Sequence, residues 1–90
     1  MPKLIIPAAL RGRMNHPQDE VEVPGTTVGD ALRALTKDHP ELQDILFVDD
    51  QLHPSLRIFV DDQAPAPEQC LATTVKEGSE VVLLPPIAGG

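Results

Sequence analysis

The chain has 90 residues, of which 14 are acidic and seven are basic, and its formal net charge at pH 7 is −7. This length allows one domain. The acidic excess is spread along the chain and argues against nucleic-acid or anionic-membrane binding, which needs clustered Lys and Arg, whereas it favours a basic partner surface. No apolar run approaches the roughly 20 residues that span a bilayer. A single cysteine excludes a disulfide framework, so we expect a cytoplasmic protein.

Two predicted strands open the chain. Residues 3–10 are mainly apolar, and the period of two places Ile5 on the solvent side. The positions expected in the core are Leu4, Ile6 and Ala8. Residues 19–23 alternate acidic residues with valines, which is typical of a half-buried antiparallel strand. We therefore expect a hairpin with a long polar turn.

An amphipathic helix is predicted over Val28–Asp38, where apolar residues recur at helical spacing. Thr27 is a good N-cap, and Asp30 stands at the third helical position, where its charge complements the helix dipole. The helix should end at His39, because the residue before a proline avoids helical angles. Pro40 can itself open a short second helix.

Three further strands are predicted over residues 56–61, 70–75 and 80–84, and the second of them is short. One amphipathic helix covers only one face of the resulting sheet. Right-handed crossovers allow the first and last strands to lie side by side in the centre. The predicted fold class is therefore α+β: a mixed sheet with one main helix packed on one face.

The uncovered face of this sheet carries apolar residues from three of the predicted strands. The residues that the period of two places there are Ile5, Phe59, Val82 and Leu84. Scattered apolar residues are normal on a protein surface, but a cluster on a small acidic domain is typical of a docking surface. We predict that these four side chains dock a partner protein.

The last residues cannot continue the final strand. Pro85 and Pro86 remove two backbone donors, so we expect a folded domain over residues 1–86 and a flexible tail over residues 87–90. The small residues of this tail are Ala88, Gly89 and Gly90. Without large side chains the tail could enter a narrow channel in another protein. The alternative is a frayed terminus or an expression scar.

Other residues that could carry chemistry lack the necessary spacing. The histidines, none of which has ligand-pair spacing, are His16, His39 and His53. The acidic pairs, which are typical of turns, are Asp49-Asp50 and Asp61-Asp62. Cys70 has no histidine base nearby in sequence and is expected to pack as a small apolar residue. We expect no metal site and no independent enzyme.

Several segments together resemble the ubiquitin-like sulfur carriers of the β-grasp superfamily. This group includes the small subunit of molybdopterin synthase, the thiamine-pathway sulfur carrier and the cysteine-biosynthesis carriers of actinobacteria. The segments are IPAALR (6–11), TTVGDALRAL (26–35), IFVDD (58–62), LATTVKEGSEVVLLPP (71–86) and the terminal AGG. The first segment and the PPIAGG ending look closer to the cysteine and molybdopterin types. Asp62, where many relatives have Asn or Gly, and the proline-rich segment 63–69 depart from the common pattern.

The resemblance implies a β-grasp carrier that other enzymes act on and that binds no cofactor itself. In such proteins the terminal glycine, here Gly90, is adenylated by an E1-like activating enzyme that uses ATP and magnesium. Sulfur then displaces AMP, and the thiocarboxylate donates its sulfur to a synthase that makes cysteine, molybdopterin or a specialised metabolite. One alternative is a ubiquitin-like modifier that forms isopeptide bonds through Gly90. Another is a permanent small subunit of a synthase.

Overall fold

The computed structural model describes residues 1–84 of the chain. Its strands are β1 (Lys3–Ile5), β2 (Glu20–Glu22), β3 (Phe47–Val48), β4 (Gln51–Leu52), β5 (Arg57–Val60) and β6 (Glu80–Leu84). Its helices are α1 (Ala8–Arg11), α2 (Val28–Asp38), α3 (Gln43–Leu46) and α4 (Pro67–Cys70), with a 3₁₀ turn over Pro40–Leu42. Among the described residues no helix is long and apolar enough to cross a membrane.

Four strands form the main sheet, in the order β2-β1-β6-β5. The central strands β1 and β6 are parallel, and both outer pairs are antiparallel. The predicted central position of the first and last strands is therefore confirmed. The apolar residues of α2 share one buried core with the inward side chains of this sheet. The prediction of an α+β fold with one main helix on one face of a mixed sheet is also confirmed.

The period of two separates core from surface along the central strands. Leu4 of β1 and both Val81 and Leu83 of β6 are 0 % exposed. They belong to the same core cluster as Val28 and Leu32 of α2. Full burial of one such side chain contributes about 1.5–3 kcal/mol. The sheet and the helix therefore stabilise each other through this shared core.

Helix α2 begins and ends where its sequence predicts. The backbone N–H of Asp30 donates to Thr27 Oγ1 at 3.1 Å, which satisfies one of the free donors of the first turn. The helix runs over Val28–Asp38, and His39 follows it with a non-helical backbone. Pro40 then opens the 3₁₀ turn that leads into α3. The predicted N-cap, helix and short second helix are confirmed.

The first strand is shorter than predicted. β1 has three residues and α1 begins at Ala8, so the prediction of a strand over residues 3–10 is wrong in its second half. Pro7 has no N–H for a sheet, and its carbonyl oxygen accepts from the N–H groups of Leu10 and Arg11, at 3.0 Å each. The helical spacing exposes Ala8 and buries Leu10. The placement of Ala8 in the core is therefore wrong as well.

The short strand predicted over residues 70–75 does not form, because this segment caps α2. The first N–H groups of a helix have no partner inside it. Here the N–H groups of Val28 and Gly29 donate to the carbonyl oxygens of Thr73 and Leu71, at 2.9 Å each. The segment therefore completes the helix instead of joining the sheet.

Both Asp-Asp pairs form tight turns, as predicted. All four aspartates have a positive φ, between 48° and 70°, which is the region that Asp and Asn tolerate better than most residues. Asp49-Asp50 joins β3 to β4 in a small antiparallel hairpin, which the residue pattern alone does not predict. The other follows β5, where Val60 and Gln63 exchange two backbone hydrogen bonds of 2.7 and 2.9 Å across the turn.

Candidate functional site

The open face of the four-stranded sheet lies opposite α2. Val82 stands at its centre, because it pairs with Ile5 of β1 and with Phe59 of β5. Leu84 lies two residues further along β6, on the same side of the strand. The structure therefore brings together the four apolar residues that the alternation places outward. We call these four residues the apolar patch.

The apolar patch is accessible to another molecule. Leu84 is 39 % exposed, and the other three residues of the patch are partly buried. Three adjacent strands contribute to one continuous apolar surface, whereas scattered apolar residues would be separated by polar ones. Such a surface is suited to contact with another protein.

Charged residues surround the apolar patch unevenly. At one end, Lys3 lies opposite Glu22 of β2 and Glu80 of β6 in the strand register. Its Nζ forms an ion pair with Glu20, 3.5 Å from Oε2. At the other end, Arg57 lies opposite the last residue of β6. A partner that covers the patch therefore meets mainly negative charge at one end and a guanidinium at the other. The alternation places Arg57 outward, but only the strand register reveals that it borders the patch.

Strand β6 fixes the point from which the C-terminal residues start. It pairs with β1 as far as Val82 and with β5 as far as Leu84. The end of the strand is therefore held at the apolar patch. The remaining predicted site residues, and the predicted boundary after residue 86, lie outside the described residues; these site residues are Ala88, Gly89 and Gly90.

The buried histidine takes part in a local structural contact. His39 Nδ1 lies 3.5 Å from Glu41 Oε2, and the same oxygen accepts a hydrogen bond from the Asn15 backbone N–H at 2.9 Å. The hydrogen bond from Asn15 is the main reason that the pKa of Glu41 is lower than usual. Glu41 therefore connects the loop after α1 to the end of α2. Within residues 1–84, no three His, Cys, Asp or Glu side chains are grouped so that they could hold a metal ion.

Cys70 lies in the hydrophobic core and is 2 % exposed. Burial raises the pKa of its thiol, because the charged thiolate loses hydration. The thiol is therefore protonated and shielded at neutral pH, which agrees with the packing role that the sequence predicts.

The amino-acid sequence of this chain matches a known protein family. The ThiS family matches residues 4–90 of the chain. Small archaeal modifier protein 1 of Haloferax volcanii is 39 % identical over 72 residues, which are 78 % of each protein. This identity over most of both chains indicates common descent.

Solved structures share the fold over nearly the whole chain. A chain of the Amycolatopsis orientalis BexX/CysO complex is 27 % identical, with full coverage of both chains and a TM-score of 0.88. Mycobacterium tuberculosis CysO is 26 % identical, with a TM-score of 0.82, over 97 % of this chain and 100 % of that one. These similarities confirm the predicted resemblance to ubiquitin-like β-grasp proteins. The chain therefore belongs to the ThiS family of small ubiquitin-like carriers and modifiers.

Proposed function

We propose that this protein is a sulfur carrier whose Gly90 carboxylate is activated and converted to a thiocarboxylate by a separate enzyme. The observation that carries this proposal is the position of β6. The strand is held by two neighbours and ends at the apolar patch, so the residues that follow start beside the surface that we propose for docking. The family match that extends to residue 90 supports the assignment of the reacting group to Gly90.

The chemistry requires activation because a carboxylate is a poor electrophile. An E1-like enzyme would join the Gly90 carboxylate to the α-phosphate of ATP, with magnesium, and release pyrophosphate. A sulfur nucleophile then attacks the carbonyl carbon of this acyl adenylate, and AMP leaves. The resulting thiocarboxylate holds a soft, nucleophilic sulfur. This chain supplies the acyl group and binds no cofactor, while ATP and magnesium belong to the activating enzyme.

The tail residues and the apolar patch have separate roles in this proposal. Ala88 and Gly89 have small side chains, so they would let Gly90 reach a recessed active site. The apolar patch would bind the activating enzyme first and the sulfur-accepting synthase afterwards, because both need access to the same tail. CysO of Amycolatopsis orientalis is found in a complex with BexX, which supports the view that related carriers dock other proteins.

The test combines an adenylation assay with intact-protein mass spectrometry. The untagged chain is incubated with its cognate activating enzyme, ATP, magnesium and a sulfur donor. We expect pyrophosphate release and a mass gain that corresponds to one oxygen replaced by sulfur, located by fragmentation at Gly90. One serine added after Gly90 should abolish both signals, whereas one serine added before Met1 should not. Retained activity in the C-terminally extended chain would overturn the proposal.

A second candidate function is protein modification through an isopeptide bond from Gly90 to a lysine. The observation that favours it is the 39 % identity to small archaeal modifier protein 1. Both functions need the activated carboxyl group, so the extension experiment does not separate them. Recovery of lysine-linked conjugates of the chain from its native cells would favour the modifier. A thiocarboxylate without conjugates would favour the sulfur carrier.

A further inference from the structure

Strand β5 has a free edge. It is an outermost strand of the sheet, so its backbone groups point alternately towards β6 and away from it. The backbone N–H and C=O of Val60 point away from β6, because both are bound to Gln63 across the turn. Ile58 stands two residues earlier, so its backbone N–H and C=O point away from β6 as well. No hydrogen bond of residues 1–84 beyond the strand pairs involves the N–H or C=O of Ile58. Such an unpaired donor and acceptor can pair with another strand.

An apolar cavity of about 240 Å³ lies along this edge. Both Ile58 and Phe59 line it, although consecutive residues of a strand point to opposite faces. The cavity therefore lies beside β5, in the place of a fifth strand, and not over one face of the sheet. Leu52, Pro65 and Cys70 from the flanking segments complete much of its wall.

The size of the cavity indicates the kind of occupant. Sites for small molecules usually have volumes of about 300–1,000 Å³. A cavity of about 240 Å³ with a mainly apolar wall is better suited to one or two aliphatic side chains. Side chains carried by an extended peptide would enter it while the peptide backbone pairs with Ile58.

Arg57 provides a charge at one end of the same edge. It is exposed, and the ion pairs among the described residues do not include it. In an added antiparallel strand, one residue would lie opposite Phe59, the next opposite Ile58 and the next opposite Arg57. The residue opposite Arg57 would therefore be acidic, and the two before it would be apolar.

We propose that the edge of β5 binds an extended segment of a partner protein, with the pattern apolar, apolar, acidic, as an added antiparallel strand. A second copy of this chain fits less well. Two β5 strands paired about Ile58 would place Phe59 of one copy opposite Arg57 of the other, where the pattern requires an acidic residue. This site goes beyond the proposed function, because it uses neither Gly90 nor its activation.

The test uses the full chain and the synthetic peptide acetyl-Val-Leu-Glu-Ser-Thr-amide, whose valine lies opposite Phe59 so that no residue of the peptide faces the occupied edge of Val60. Amide ¹H–¹⁵N spectra should show saturable shifts at Arg57, Ile58, Phe59 and Ala64 as the peptide is added. We expect a Kd of about 1 mM, because a five-residue peptide makes few contacts. A matched peptide with N-methyl-leucine lacks the donor to Ile58 C=O. It should bind about 2- to 10-fold more weakly, as expected for one lost hydrogen bond.

Charge reversal tests the register. Arg57→Glu should weaken binding of this peptide, and replacement of the peptide's glutamate by lysine should restore it. Arg13→Glu changes an exposed arginine in the loop after α1 and should have no effect. The proposal is overturned if no saturable shift occurs up to about 5 mM peptide, well above a millimolar Kd, or if the N-methylated peptide binds equally well. Shifts of the same amides on concentration of the chain alone would assign the edge to a second copy instead.

Discussion

Ile5 and Phe59 flank Val82 on the open face of the sheet, one in the parallel neighbour of β6 and the other in its antiparallel neighbour. Residues from the beginning, middle and end of the chain therefore form one apolar surface. That surface exists only when the central β1–β6 pair has formed. A partner that recognises it consequently recognises the folded domain at the point where the C-terminal residues start.

Phe59→Arg should weaken binding of the activating enzyme by about 10-fold or more, because buried aromatic residues often dominate an interface. The domain should remain folded, since Phe59 lies outside the core cluster. Isothermal titration calorimetry would measure the Kd, and a thermal melt would confirm folding. Unchanged affinity would contradict the assignment of the apolar patch as a docking surface.

Two further variants separate this effect from neighbouring ones. Val48→Arg is a matched control, because Val48 is 43 % exposed and belongs to the separate β3–β4 sheet. It should leave enzyme affinity unchanged. Leu84→Arg should weaken enzyme binding as Phe59→Arg does. It should not weaken binding of the pentapeptide, because Leu84 does not line the cavity beside β5.

The adjacent residues Leu83 and Leu84 should respond very differently to truncation. Leu83 is 0 % exposed and Leu84 is 39 % exposed. Leu83→Ala should lower the free energy of unfolding by about 2–5 kcal/mol, because it leaves a cavity in the core. Leu84→Ala should cost less than about 1 kcal/mol, because its methyl groups already contact water. Denaturant unfolding of both variants measures the difference, and a reversed order would mean that β6 has the opposite register.

Much of this fold could be predicted because its signals are local. The helix α2 follows from the spacing of Val28, Leu32 and Leu35 and from the cap at Thr27. The alternation of residues 80–84 separates buried from outward side chains correctly. These patterns depend on backbone geometry over a few residues, so one sequence is sufficient to interpret them.

The error in the first strand is local, at Pro7, whereas the error at residues 70–75 comes from contacts between distant segments. Residues 70–75 have a strand-like composition, but Leu71 and Thr73 instead supply acceptors to the first turn of α2. The edge cavity likewise depends on how Pro65 and Leu52 pack beside β5, which no local pattern records. Of the candidate site, the alternation predicts which residues face outward, and the structure adds their register. The role of Gly90 stays a prediction from sequence and family.

Thr27→Ala should destabilise the domain by about 1 kcal/mol, because the N–H of Asp30 loses its acceptor. For a domain of this size, that loss corresponds to a fall in Tm of about 4–8 °C. Thr27→Ser keeps the hydroxyl group and should retain most of the stability. Circular dichroism melts of the three proteins provide the comparison. Equal Tm values for the alanine and serine variants would show that the hydroxyl group contributes little.

Cys70 should make the domain less stable at alkaline pH. In the unfolded chain its thiol ionises at the ordinary pKa of a cysteine, whereas burial raises the pKa in the folded state. At lower pH the thiol is protonated in both states, so it does not reduce stability. As the pH rises above the unfolded pKa, ionisation favours the unfolded chain until the folded pKa is reached.

Urea unfolding of wild type and Cys70→Ala between about pH 7 and 10 isolates this contribution from that of other groups. The alanine variant has a lower free energy of unfolding throughout, because it loses core packing, but it lacks the titrating thiol. The difference between the two proteins should therefore shrink as the pH rises. A constant difference would mean that the thiol ionises equally in both states. Iodoacetamide provides an independent measurement, since a buried thiol should react only in the fraction of molecules that are open, and urea should accelerate the reaction by raising that fraction.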